Sequence, residues 1–304
     1  MSRILTFVML TIFAVPKPFD QLSATIQHNA ILSWKSLAPS CEIILLGDEQ
    51  GVAEFAREHR LRHIPKIECN SFGTPLISSV FDLAKTSASF NRLAYVNADI
   101  ILPDNFAAAV DAISFRNYLL IGRRTCVTID QPIEFENDQW YKYLMHWATE
   151  TGHLDSAWGM DYFVFPREMW DEIPPFAIGR FGWDNWLVYN TLCRRIPVVD
   201  LTRAVTVLHQ DHDYKTTAGF DPRNWKSDEI SNNLKLAGKG VDYGVRQSGW
   251  RLERQTSAAH ERESYRIVAN PERHLASIEA YVRRCRRQIG SIRRSVFGRF
   301  RRAA

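Results

Sequence analysis

Four short apolar runs, separated by stretches of helical periodicity, occupy the first hundred residues, and no other feature constrains the fold as strongly. The runs lie at residues 4–15, 41–46, 62–67 and 93–96. Between the first two, Leu22, Ile26, Ala30 and Leu37 share one helical face from near Asp20 to the turn at Ala38-Pro39-Ser40. Residues 52–59 and 75–88 have the same character. Short runs bounded by turn residues read as buried strands, and the intervening periodicity reads as helix. The order β-α-β-α-β-α-β predicts a mostly parallel, Rossmann-like α/β sheet with helices on both faces. The first run, behind Arg3, also has the look of a signal-peptide core, but it is too short to cross a bilayer. Its Ile, Val, Phe and Thr content and the Pro16-Lys17-Pro18-Phe19 that follows favour a first strand.

In such sheets ligands bind beyond the carboxyl ends of the strands. Three polar features fall on that edge: Pro16-Lys17, Gly47-Asp48-Glu49 and Asn97-Ala98-Asp99. The last interrupts an apolar stretch, Leu93 to Leu102. A carboxylate at the end of a buried strand is costly unless paired, and a bound cation is a natural partner for Asp99. Alternation along an extended chain would turn Asn97 and Asp99 to one side. No G-x-G-x-x-G follows the first strand and no P-loop pattern is present, which argues against a dinucleotide oxidoreductase and a P-loop nucleotidase.

The second half is less regular and rich in aromatic residues. Strands are expected at 118–122, ending in Arg123-Arg124, at 161–165 and within 198–208, with a helix at 140–147. Residues 213–258 are polar and read as loop. The expected division is a catalytic domain over 1–215, a polar cover over 216–268 and a tail over 269–304. In the tail Asn270 suits a helix cap and Pro271 the first helical position. Leu275, Ile278, Val282, Cys285, Ile289, Ile292 and Val296 then recur every three or four residues. Nine arginines and no acid follow Glu279, which leaves 29 basic against 34 acidic side chains elsewhere; the net charge of +4 is therefore a property of the tail. The expected roles of a basic amphipathic helix over residues 270–302 are packing, self-association, or peripheral contact with the inner face of an anionic membrane. Nucleic-acid binding is not expected, because no aromatic platform accompanies the arginines. The five scattered cysteines show no C-x-x-C spacing, consistent with a reducing, cytoplasmic setting.

Over residues 4–215 the chain resembles the GT-A-type, family-2-like glycosyltransferases, which use nucleotide sugars. The resemblance rests on the order of its features: the Ala14-Val15-Pro16-Lys17 loop, Asp48 after the second strand, Asn97-Ala98-Asp99 as a variant Asp-x-Asp motif, and a downstream acid and histidine. It implies that Pro16, Lys17 and Asp48 hold base and ribose, with Asn97 and Thr74 nearby. Asp99, with His209 or His212 from His209-Gln210-Asp211-His212, would bind Mn²⁺ or Mg²⁺ against the diphosphate. Gly179-Arg180-Phe181-Gly182-Trp183-Asp184-Asn185-Trp186 resembles the acceptor loop of inverting enzymes. Asp184 would there be the general base, with Trp183 and Trp186 as sugar-stacking surfaces, unless Asp184 simply caps a helix. Asp161 would hydrogen-bond donor-sugar hydroxyls. The implied reaction is transfer from a nucleotide sugar to a carbohydrate or glycolipid hydroxyl. The alternatives are a sugar nucleotidyltransferase, which the Ala14–Pro18 loop matches poorly, and a non-catalytic carbohydrate-binding scaffold.

Overall fold

The structure is a computed structural model and describes residues 9–37, 41–137, 139–212, 227–257 and 262–273. The first half follows the expected alternation: β1 (Leu10–Ala14), α1 (Gln21–Lys35), β2 (Cys41–Leu46), α2 (Val52–His59), β3 (Arg62–Ile64), α3 (Ile77–Ser87) and β4 (Arg92–Val96). Next come β5 (Ile100–Ile101), α4 (Phe106–Asp111), β6 (Leu119–Ile121), β7 (Arg124–Val127), α5 (Trp140–Thr151), β8 (His153–Leu154), β9 (Tyr162–Pro166) and α6 (Trp183–Cys193). The remaining elements are β10 (Val198–Asp200), β11 (Val207–Gln210), α7 (Asp228–Ala237), β12 (Trp250–Ser257) and β13 (Arg262–Ala269).

Nine strands form the main sheet in the order β13-β12-β10-β6-β9-β4-β1-β2-β3. Pairing is parallel except where β9 runs against β4 and β6, and where β13 runs against β12. Alternate residues serve opposite faces. Ile12, Ile43, Leu45, Ala94 and Val96 pack with α1, α2 and α4, whereas Phe13, Ile44, Leu46, Leu93 and Tyr95 pack with α3, α6 and α7. Burial on both faces explains why these strands read as unbroken apolar runs. Each fully buried large apolar side chain contributes roughly 1.5–3 kcal/mol.

A second sheet has the order β5-β11-β7-β8, and its β5 follows the carboxyl end of β4 after Asn97-Ala98-Asp99. Its β5–β11 pairing is antiparallel and sets His209 opposite Ile100. The Trp34 indole donates to the Ile100 carbonyl at 2.8 Å, and Leu102 N–H donates to Ser33 Oγ at 3.1 Å, so α1 fixes the segment after Asp99.

Two local expectations change. The segment from 228 carries α7 and the β12–β13 hairpin, and that hairpin extends the main sheet instead of forming loop. At this edge the alternation is weak, since Leu252 is the fully buried apolar residue of β12. The charged residues of β12 and β13 suit an edge position, where they discourage further pairing. The helix expected from Pro75 begins at Ile77, because Pro75 and Leu76 bridge instead to Cys69 and Ala177. Asn270 Oδ1 accepts from Glu272 N–H at 3.1 Å, as a cap would, while the rest of the expected tail helix lies outside the described residues. No helix among the described residues is long and apolar enough to cross a membrane.

Candidate active site

A cleft of about 970 Å³ opens at the carboxyl edge of β1 and β4. Pro16, Lys17, Thr74, Asn97, Asp99, Asp161, Trp183, Asp184 and His212 all line it. Residues as far apart in the chain as Val15 and Ile230 thus face one space at the carboxyl edge of the sheet.

On the first wall the backbone of Lys17 is held by Gln27, which accepts from Lys17 N–H at 2.6 Å and donates to its carbonyl at 3.0 Å. Glu49, and not Asp48, lines the cleft beside it, and Asp48 is exposed in the turn after β2. Thr74 sits in a turn whose amide donates to Asn70 Oδ1 at 3.0 Å. Asn70 also donates to Glu229 at 2.7 Å, and Glu229 pairs with Arg180 at 2.8 Å. This buried link joins the 70–74 turn, α7 and the loop before α6.

At the centre, Asp99 Oδ2 lies 3.0 Å from His212 Nε2 and 3.6 Å from His209 Nε2. Ligand atoms of Asp99, His209 and His212 lie within 4.8 Å of one another, so both histidines of the pair reach the carboxylate. Burial disfavours the Asp99 charge, but hydrogen bonding and charge from the histidines outweigh it and hold this carboxyl well below its usual range. Burial likewise disfavours protonated His209, yet Asp99 pushes its pKa up to about 10. The Asp99 charge that favours a proton on His209 also favours a cation, which would bind in exchange for that proton. Asp99 Oδ1 is buried and accepts no hydrogen bond, and one carboxylate with two imidazoles is a donor set suited to Mn²⁺. The residues present therefore fit a divalent ion. On the far side of His209, Nδ1 lies 3.4 Å from Asp211 Oδ1, which adds a second carboxylate charge beside the ring.

Asp184 lies in the first turn of α6, after Gly182, whose φ of 112° is a conformation that glycine adopts readily. Burial pushes the Asp184 carboxyl up to about 6; backbone N–H groups at the start of α6 oppose this and Asp161 reinforces it. One of its oxygens is buried and unbonded. A carboxyl tuned close to neutrality in a cleft can take up a proton at working pH. Gly182, and not Asp184, occupies the cap position.

The two tryptophans differ. Trp183 reaches the cleft wall, though its ring is mostly buried against Tyr95 and Phe163. Trp186 does not line the cleft and packs on Phe176 with ring centroids 5.6 Å apart. Arg123 and Arg124 are committed within the protein, Arg123 to the Asp155 carbonyl and Arg124 to the carboxylates of Asp155 and Asp161. The sequence pattern assigns no individual role to Glu49, Asp155 or Asp211. Asp211 lay in plain view between the two histidines, while nothing local distinguishes Glu49 from its neighbour Asp48.

No protein-family model and no curated protein matches this sequence. Three solved structures resemble this chain at low identity and over part of its length. The mannosyltransferase PcManGT from Pyrobaculum calidifontis, in complex with GDP-Man and Mn²⁺, matches at 13% identity and a TM-score of 0.41, over 69% of this chain and 59% of that one. A putative nucleotide-diphospho-sugar transferase from Desulfovibrio desulfuricans G20 matches at 12% identity and a TM-score of 0.41, over 75% and 96%. S. aureus TarS 1–349 in complex with UDP-GlcNAc matches at 16% identity and a TM-score of 0.30 over 39% of this chain, and the match spans 35% of that chain's length.

Proposed function

We propose that this protein is a divalent-cation-dependent glycosyltransferase that moves a sugar from a nucleoside diphosphate sugar to a hydroxyl of a carbohydrate or glycolipid acceptor, with inversion. The observation that carries the reading is the placement of two different kinds of acid in one cleft. Asp99 is held ionised beside His209 and His212, and Asp184, which lines the same cleft, has its pKa raised to about 6. Paired titratable groups whose surroundings push them apart in this way divide the labour of a reaction.

Asp99, His209 and His212 would hold the cation, which when bound supplies positive charge against the departing diphosphate. The chain's own groups do the rest. The 15–18 loop and Glu49 line the nucleotide end, and Asp161 offers a carboxylate to the sugar hydroxyls. Asp184 removes the acceptor proton as the acceptor oxygen bonds to the anomeric carbon and the bond from that carbon to the diphosphate breaks, its electron pair leaving with the diphosphate. With a pKa of about 6, Asp184 is mostly ionised at pH 7.5 and close enough to that pH to share the proton in the transition state.

Thermal shift with UDP-, GDP- and ADP-sugars, with and without Mn²⁺, tests the donor site. Cation-dependent stabilisation by one donor, absent in Asp99→Ala, is expected. No stabilisation of the wild type by any member of the panel would remove the reading.

A further inference from the structure

Asn97 occupies the position where the resemblance leads one to expect a second acid, and its surroundings explain the replacement. Tyr95 Oη donates to Asn97 Oδ1 at 2.9 Å. Asn97 Nδ2 donates to Asp161 Oδ1 at 2.8 Å, and Asn97 N–H donates to the Asp161 carbonyl at 2.9 Å. Asp161 Oδ2 accepts from Arg124, which also donates to Asp155 Oδ2 at 2.9 Å. The chain of contacts thus runs Tyr95, Asn97, Asp161, Arg124, Asp155, and it is partly or wholly buried throughout.

The buried hydroxyl of Tyr95 needs an acceptor and Asp161 Oδ1 needs a donor. A short side chain that accepts on one branch and donates on the other is an amide. An aspartate at 97 would still accept from Tyr95, but it would face the Asp161 carboxylate with no proton to offer. Asp99, two residues on, already brings another negative charge to the same wall.

From this we infer that Asn97 is a positioning residue that aims the Asp161 carboxylate at the donor sugar, and that the motif carries asparagine because an acid there would turn Asp161 away. The inference rests on the nucleotide-sugar reading above and assigns the sugar end of the donor to Asp161, acting through Asn97.

The test compares calorimetric binding of UDP and GDP with that of UDP-GlcNAc and GDP-mannose, all with Mn²⁺, in wild type, Asn97→Asp, Asp161→Asn and the Asn97→Asp/Asp161→Asn double variant. For whichever nucleotide the wild type binds, Asn97→Asp and Asp161→Asn should each weaken the nucleotide sugar by about tenfold or more, with the nucleotide alone changed by less than about threefold. The double variant restores an amide–carboxylate pair in reversed order. It should recover the melting temperature lost in Asn97→Asp but not the sugar-dependent affinity. Three results would overturn the inference: unchanged nucleotide-sugar affinity in Asn97→Asp, equal loss for nucleotide and nucleotide sugar, or full recovery of sugar affinity in the double variant. A wild type that binds no UDP-, GDP- or ADP-sugar and none of the free nucleotides would instead remove the donor reading, and the inference with it.

Discussion

Replacing Asp184 by asparagine removes a charge that the fold holds against its preference for water. The carboxyl rises from its usual 3.8 to about 6, mainly through burial. Asp184 therefore binds a proton more tightly in the folded chain than in the unfolded one. Its contribution to stability is fully present below about pH 4 and is lost as pH rises through about 6. At about 1.4 kcal/mol per pH unit, the deficit reaches about 3 kcal/mol at pH 7.5 and about 1 kcal/mol at pH 4.5; both are upper values, because the cleft admits water to one side of the group. Asparagine keeps the shape and does not titrate. Asp184→Asn should therefore be more stable than wild type in urea unfolding at pH 7.5 by up to that amount, with a smaller gain at pH 4.5, while sugar transfer is lost. In the wild type, kcat/KM should fall as pH drops below about 6. Equal stability at pH 7.5, or a gain that does not change with pH, would refute the view of Asp184 as a buried charge tuned for proton transfer.

Other outcomes follow from the geometry. Asp211→Asn should weaken Mn²⁺ binding, measured by calorimetry without any nucleotide, by about tenfold, because the carboxylate charge 3.4 Å from His209 Nδ1 is removed from beside the proposed ligand. Glu49→Gln should lower donor affinity while Asp48→Asn leaves it unchanged, since only Glu49 lines the cleft. Gly122→Ala should destabilise the fold by about 1–3 kcal/mol in urea titration, because the added methyl would run into the hydroxyl of the fully buried Tyr162. Trp186→Phe should leave acceptor KM unaltered, as its ring packs on Phe176 outside the cleft.

Much of the first half could be read directly. Residues 41–46 and 93–96 form strands because short, mainly apolar runs suit a sheet buried on both faces, and residues 52–59 form a helix that buries Val52, Phe55 and Ala56 on one side. The hairpin of β12 and β13 is not legible in the sequence, because an edge pair with one buried leucine carries almost no periodic signal. His209 and His212 could not be told apart by spacing. The antiparallel pairing of β11 with β5 brings the first beside Asp99, and the two-residue step beyond the strand brings the second.

Taken by itself, the sequence determined the βα order, the edge at which ligands gather and the residue types available there, because periodicity and turn chemistry are local properties. Only the tertiary structure decided which of those residues meet. It moved Asp48 out of the cleft and Glu49 in, turned Trp186 to the core, and set Asn97 between Tyr95 and Asp161. Those outcomes depend on strand order and register across more than sixty residues of separation, and a side chain's charge or amide acquires its role only from the partner that the register places opposite it.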